Sequence, residues 1–598
     1  MSSVPERSEL SEKHTWDLES IYATDDDWEA AYEDVASRLD DLEAYEGRLT
    51  ESGETLLEAL QLRDEIHREA EQVSAYARMR SDEDTRDQHY QALRARASSL
   101  MADVSSASSF FGPELQDCTR EELQEFVEEE PELATYEHYF DDVLRMKPHT
   151  RSAEVEELLS DLGEVLGAPS DAYNMLTDAD LEFPTVEDPE GEAVEISQAN
   201  FTKLLKNPDR EFRQTVHESF FETIGDVRNT IGATMKNQVK KDVKLAEARN
   251  YDTARAAALD GANIPTEVYD NLVETVDDNL DKLHRHVDLK REALDVDEVQ
   301  MWDLYMPIVD SESPEVPYEE AKQRVVEAVA PLGEDYQNRV ADGLESRWVD
   351  VYENRGKRSG AYSGGTYDTQ PFILMNYQDD ISSMFTLAHE LGHSLHSQYT
   401  SEQQPYVYSD YEIFVAEVAS TVNEALLVNH LLDTVEDDHF RKHILNEYLE
   451  RFRSTLYRQT LFADVEHRLH SLAEDGEALT PDRVDEVYGE RKEAYYANAV
   501  VDDHIRSEWM RIPHFYYNFY VYQYATGISS AVAIADRILN EGGNEAATQY
   551  REALQLGGSE YPIDILDHAG VDVTNSKFIE TALDVYEEHL DEAVELLE

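Results

Sequence analysis

The chain has 598 residues, with 130 acidic side chains against 51 basic ones, a formal net charge of -79 and a pI near 4.4. A polyanion of this size is repelled by nucleic acid, so no nucleic-acid partner is expected. No stretch approaches the roughly 18 consecutive apolar residues that mark a bilayer span, so no membrane partner is expected either.

The residues at the start, Met1 to Trp16, are rich in charge and contain no apolar segment of the secretory type. With a single cysteine, Cys118, this predicts a soluble cytoplasmic protein in a reducing compartment, Cys118 being an inert filler. High charge with low hydrophobicity can mean disorder, but 41% apolar residues, 34 tyrosines and long helical periodicities predict a packed protein instead. The acidic residues are spread along the whole chain, and arginine outnumbers lysine more than two to one. Molar salt shortens the Debye length to about 3 Å and screens such self-repulsion, so the composition predicts a protein adapted to high salt, that of a halophile.

From Trp28 to about Asp180 apolar residues recur three or four apart, as in Glu54 to Arg78, which predicts successive amphipathic helices. Leu181 to Ile196 breaks this period: alternating apolar residues flank Asp188-Pro189-Glu190-Gly191, which predicts a short hairpin. A chain of this length exceeds one core. A boundary just after the hairpin gives an N-terminal helical domain over 1–196 and a catalytic domain over 197–598. Helical periodicity then resumes, with breaks at Asn263-Ile264-Pro265 and over Met306 to Pro317. Ser359 to Tyr377 is a glycine-rich island feeding a short apolar strand. Its glycines have two readings: they turn the chain, or they let Tyr362 to Asn376 offer an edge strand to a peptide. The second is preferred because the island directly precedes the helix with the chemistry.

That helix is predicted to begin near Asp380 and carries His389-Glu390-Leu391-Gly392-His393. Histidines four apart lie one turn apart on one helix face, within reach of a single Zn²⁺, while Glu390 can touch a water without being a ligand. The pair His439 and His443 has the same spacing, but Phe440, Arg441 and Lys442 stand between them; it is read as solvated surface, as are His467 and His470. A catalytic zinc needs a third ligand and an open position. The nearly all-apolar helix over Ile413 to Leu432 carries Glu417 and Glu424, seven residues apart and on one face. Glu417 is the predicted ligand, and Glu424 the acceptor that orients a histidine through its other nitrogen.

The run His389 to His396 (HELGHSLH), followed by Phe414 to Glu424 (FVAEVASTVNE), resembles oligoendopeptidase F, in the family of thimet oligopeptidase and neurolysin. Trp16-Asp17-Leu18, the glycine-rich island and Phe515 to Gly527 extend the resemblance over nearly the whole chain. It implies a mainly α, two-lobed metallopeptidase with a deep substrate channel and a small β element beside the zinc helix. It also implies that Tyr524 and Tyr517, with His514, hold the oxyanion of the tetrahedral intermediate; Tyr520 is the rival of Tyr517, because the offset from His514 is shorter than in the thimet branch.

The function so implied is zinc-dependent hydrolysis of internal bonds in short peptides, with Glu390 as general base and one Zn²⁺ per chain. A zinc carboxypeptidase of related helical fold and a non-catalytic peptide-binding scaffold with structural zinc are the alternatives.

Overall fold

The computed structural model describes residues 4–309 and 313–597. The chain divides into two compact units, each assembled from separated segments: Met1–Lys147 with Pro314–Thr434 and Ile534–Gly570, and Pro148–Ser313 with Val435–Ala533 and Val571–Glu598. Both are built from helices, with a few two- and three-residue strands. The predicted boundary near Ser197 lies inside the second unit, because the hairpin strands Thr185–Glu187 and Ala193–Glu195 belong with the helices that follow. Part of the Met306 to Pro317 break lies outside the described residues. Among the described residues no helix is long and apolar enough to cross a membrane.

In the first unit, Thr24 and Ser52 cap the helices Asp25–Glu43 and Gly53–Glu83 by accepting backbone N–H groups of the first turn. Their inward faces bury Trp28, Val35, Leu56, Leu60 and Tyr76. Phe372 and Leu374 join the same core from the middle strand of a three-stranded sheet. That strand, Phe372–Leu374, runs parallel to Val349–Asp350 and antiparallel to Tyr362–Gly364, with Leu374 opposite both Asp350 and Tyr362. It is covered on both faces, which is why it reads as a continuous apolar run.

Asp350 carries a buried charge cluster at the edge of this sheet. Its carboxylate meets Lys357 and Arg7, each at 2.6 Å. Arg7 also reaches Glu83 at 2.6 Å, and Glu83 accepts the Trp16 indole N–H at 2.7 Å. Burial alone would raise the Asp350 carboxyl, but Lys357 and Arg7 outweigh it and hold it below the usual carboxylate range. The N-terminal segment is thereby tied to the sheet that precedes the HExxH helix.

The second unit corrects two histidine assignments. His439 is exposed, but His443 is buried at 7%, because the helix Asp438–Arg451 turns that position inward beside Phe440, Ile444 and Tyr448. His470 is buried at 1%: its Nδ1 lies 2.9 Å from the Glu466 carbonyl, and its Nε2 faces Asp242 at 3.4 Å. Charged neighbours in sequence do not reveal which face of a helix is covered. His467 is half-buried.

Replacing Asp350 by Asn leaves Lys357 buried without its ion-pair partner and Arg7 with Glu83 alone, and is expected to cost about 3–5 kcal/mol. Because the folded pKa is depressed, the carboxylate stabilises at neutral pH and loses that effect as pH falls through its folded value. The gap between variant and parent in denaturant midpoint should therefore narrow in acid; a gap that stays constant would refute the assignment.

Candidate active site

The helix Ile381–Gln403 starts where the sequence predicts. Asp380 is its N-cap, and its side chain accepts the Ser383 N–H. The second helix, Ile413–Thr434, packs on it at contact distance. Gly392 makes this possible: a Cβ there would stand 2.5 Å from both the Ala419 carbonyl oxygen and the Ser420 Cα. Asn423 joins the helices at the same level. Fully buried, it donates to the Ala388 carbonyl at 3.2 Å and accepts the Tyr336 hydroxyl at 2.9 Å.

The close approach brings His389, His393 and Glu417 together, with one potential ligand atom from each within 4.8 Å of the others. The two histidine Nε2 atoms are 3.2 Å apart, and Glu417 Oε2 lies 3.5 Å from His389 Nε2 and 3.9 Å from His393 Nε2. His389 Nδ1 faces Glu424 Oε1 at 2.9 Å, an acceptor for the Nδ1 proton that leaves Nε2 as the atom available to a metal. Burial pushes His393 down to about 3, which leaves that ring neutral, whereas at His389 the Glu424 carboxylate outweighs burial and raises the ring above its ordinary value. Tetrahedral zinc with ligands at about 2.0–2.2 Å separates its donor atoms by roughly 3.3 Å. Two imidazole lone pairs and a carboxylate converging at these separations fit a dication. The side chains of the three residues are 20–25% exposed, so the centre is open on one side.

Glu390 stands between the two histidines in sequence and interacts with His389 and Glu417. It is buried at 7%, and burial, with Glu417 adding to it, pushes its carboxyl up to about 7. The Ser363 backbone N–H bonds to it, and the Ser363 hydroxyl meets that of Ser394 at 2.8 Å. Tyr362–Gly364, the outer strand of the sheet, thus lies directly beside the HExxH helix. On the other side of that helix His396 is buried and stacked on Tyr411, with ring centroids 3.6 Å apart.

In the second unit, His514, Tyr517, Tyr520 and Tyr524 form one aromatic cluster. His514 lies 5.4 Å from Tyr517 and 6.3 Å from Tyr524 between ring centroids, and Tyr520 lies 5.4 Å from Tyr524. Asn518 and Phe519 between them adopt positive φ, 48° and 59°. Glu466, buried at 1%, accepts the Phe519 N–H at 2.7 Å and so holds this bend. Ser363, Gly392, Asn423 and Glu466 were not singled out in the sequence. Gly392 and Asn423, a glycine and an amide inside apolar helices beside the motifs, carried the available signal.

Two histidines and a glutamate that could hold one metal ion are the donor set a metallopeptidase uses. Residues 203–585 match the family model of Peptidase family M3, and residues 114–183 match that of Oligopeptidase F; the predicted boundary near Ser197 falls between the two. The chain is 44% identical to oligopeptidase PepF of Bacillus subtilis over its whole length and 89% of that protein's. It is 41% identical to group B oligopeptidase PepB of Streptococcus agalactiae, over 99% of this chain and 98% of that one. Among solved structures, oligoendopeptidase-F from Enterococcus faecium superposes with TM-score 0.74 at 36% identity, over 96% of this chain and 99% of that one. A chain from Chlamydophila abortus superposes with TM-score 0.92 at 32% identity, over 99% of this chain and all of the other. The chain belongs to peptidase family M3 and is a metalloendopeptidase.

Gly392→Ala forces the two helices apart, and overpacking of this kind costs about 1–3 kcal/mol. The expected outcome is a lower melting temperature together with weaker metal retention against a chelator. Retention equal to that of the parent would refute the role given to the close approach.

Proposed function

We propose that the protein cleaves internal bonds of short peptides, with His389, His393 and Glu417 holding one zinc ion and Glu390 acting as general base. The single observation that carries this reading is the convergence of two imidazole nitrogens and the Glu417 carboxylate beside a second, buried carboxylate, that of Glu390. Bound zinc would supply the Lewis acid that polarises a peptide carbonyl and acidifies water.

The chain's own residues do the rest. Glu424 holds the His389 ring in the tautomer that presents Nε2. Glu390, with a carboxyl pushed up to about 7, is suited to take a proton from the attacking water and return it to the departing amine. The strand Tyr362–Gly364 offers backbone groups to an extended peptide, a mode that tolerates many side chains. Tyr524, His514 and Tyr517 supply hydrogen-bond donors to the oxyanion. The same ring cluster contains Tyr520, the alternative to Tyr517. Tyr517 is 49% exposed and free to turn toward a ligand.

Glu390→Gln should keep zinc and peptide binding while turnover falls on the order of 10²–10⁴-fold or more, since it removes the general base. His393→Ala should lose the metal as well. Substantial hydrolysis by the Glu390→Gln protein would sink the assignment. A quenched peptide blocked at both ends should be cleaved; its survival alongside cleavage of free-ended peptides would favour a carboxypeptidase.

The formal charge of -79 supports a halophilic, cytoplasmic setting. Circular dichroism and activity should decline together on dialysis from molar KCl to dilute buffer. Unchanged signals would rule out dependence on screening.

A further inference from the structure

The second unit contains a concentration of buried positive charge that runs against the composition of the chain. Two carboxylates, Glu450 and Glu508, stand among five cations. Lys290 and Arg453 each reach Glu450 at 2.7 Å. Lys492, Arg458 and Arg511 reach Glu508 at 2.7, 3.3 and 3.5 Å. None of the five side chains is more than 23% exposed, and Lys290 and Lys492 are nearly inaccessible. Five cations facing two carboxylates leave three positive charges in excess. The nearby phenol of Tyr488 donates to Glu508 at 2.7 Å and adds no negative charge.

Buried charge is expensive unless paired. In a protein with 130 acidic residues, a further Glu or Asp at this place would have been the simplest partner. Instead there is space. Two of the five cations, Arg453 and Arg458, line with Glu450 and Tyr305 a cavity of about 460 Å³ whose rim includes Lys206, Asn446 and Ser454. The rim also holds Glu447 and Arg451, whose charges cancel. The backbone is shaped for this: Phe452–Tyr457 is a π-helical turn. In a regular α-helix residues five apart diverge by roughly 140°; the wider turn closes that divergence and presents Arg453 and Arg458 to one cavity. Such turns recur at functional sites. Burial lowers the Lys290 and Lys492 ammonium groups below their ordinary range, and Arg453 and Arg458 push them in the same direction.

We propose that this cavity is an anion site whose ligand is a carboxylate at the C-terminal end of a peptide, held by Arg453 and Arg458. Guanidinium groups bind carboxylates in a planar fork. The cavity is of the size that takes small ligands, and it accommodates the last residues of a peptide beyond the carboxylate itself. Only the choice of a peptide as the source of the carboxylate rests on the proposed function; the same chemistry would hold a free inorganic anion.

The test uses the full-length chain at constant ionic strength. Calorimetry compares an N-acetylated tripeptide acid with its C-terminal amide on the Glu390→Gln protein. Protection by inorganic phosphate is read as a melting-temperature shift in the parent. The acid is expected to bind about tenfold more tightly than the amide, one charge-assisted hydrogen bond's worth, and Arg458→Gln should abolish both that preference and the phosphate shift. Lys206→Gln, at an exposed rim position, carries the same comparison should the arginine variant not fold, with a smaller loss expected. A phosphate shift that depends on these residues, without acid preference, assigns the site to a free anion. Equal binding of acid and amide together with a phosphate shift unchanged in the variants overturns the proposal. Hydrolysis of the tripeptide by the Glu390→Gln protein would fail the functional reading alone, since the phosphate arm does not involve Glu390.

Discussion

The candidate metal site depends on how closely two helices approach at Gly392. Ile381–Gln403 and Ile413–Thr434 meet backbone to side-chain-free backbone, with no room for a single methyl group. That approach sets the separation between the two imidazoles on one helix and Glu417 on the other, and it lets Glu424, about two turns beyond Glu417, reach His389. Three donor atoms on two rigid elements need no loop to organise them. Asn423, bonded to the Ala388 carbonyl, fixes the axial register of the pair so that Glu417 faces the histidines.

The remainder of the first unit supports this pair from below. The strand Tyr362–Gly364 contacts the HExxH helix and bonds to Glu390 through Ser363, and the sheet behind it is part of the apolar core of the N-terminal helices. The cluster of Arg7, Glu83, Asp350 and Lys357 links residues more than three hundred positions apart. A peptidase that hydrolyses at a fixed metal gains from such rigidity, because small misplacements of a base or ligand are costly in rate.

Charge is distributed with a purpose that net composition hides. Most acidic residues solvate the surface, but the scarce cations recur in buried groups: around Asp350, around Asp303 through Arg210 and Arg213, and around Glu450 and Glu508. At Asp350 the cations are answered by the carboxylates of Asp350 and Glu83. Around Glu450 and Glu508 they are not, and there Arg453 and Arg458 also line a cavity, which is the basis of the proposed anion site.

Much of this was legible in one dimension because helical chemistry is local. The spacing of His389 and His393, the helix start near Asp380, the hairpin at Asp188 to Gly191 and the apolar helix carrying Glu417 and Glu424 follow from period and turn residues, and the structure has each of them. Tertiary packing decided the rest. Burial of His443 and His470, the interleaving of chain segments in two compact units, the partner of Glu390 in Ser363 and the gathering of Arg453 with Lys290, Lys492 and Glu508 all join residues far apart in sequence. A one-dimensional pattern records which residues share a helix face, because that is set within a turn or two. It does not record which face another segment covers, because that depends on long-range contacts whose residues carry no periodic mark.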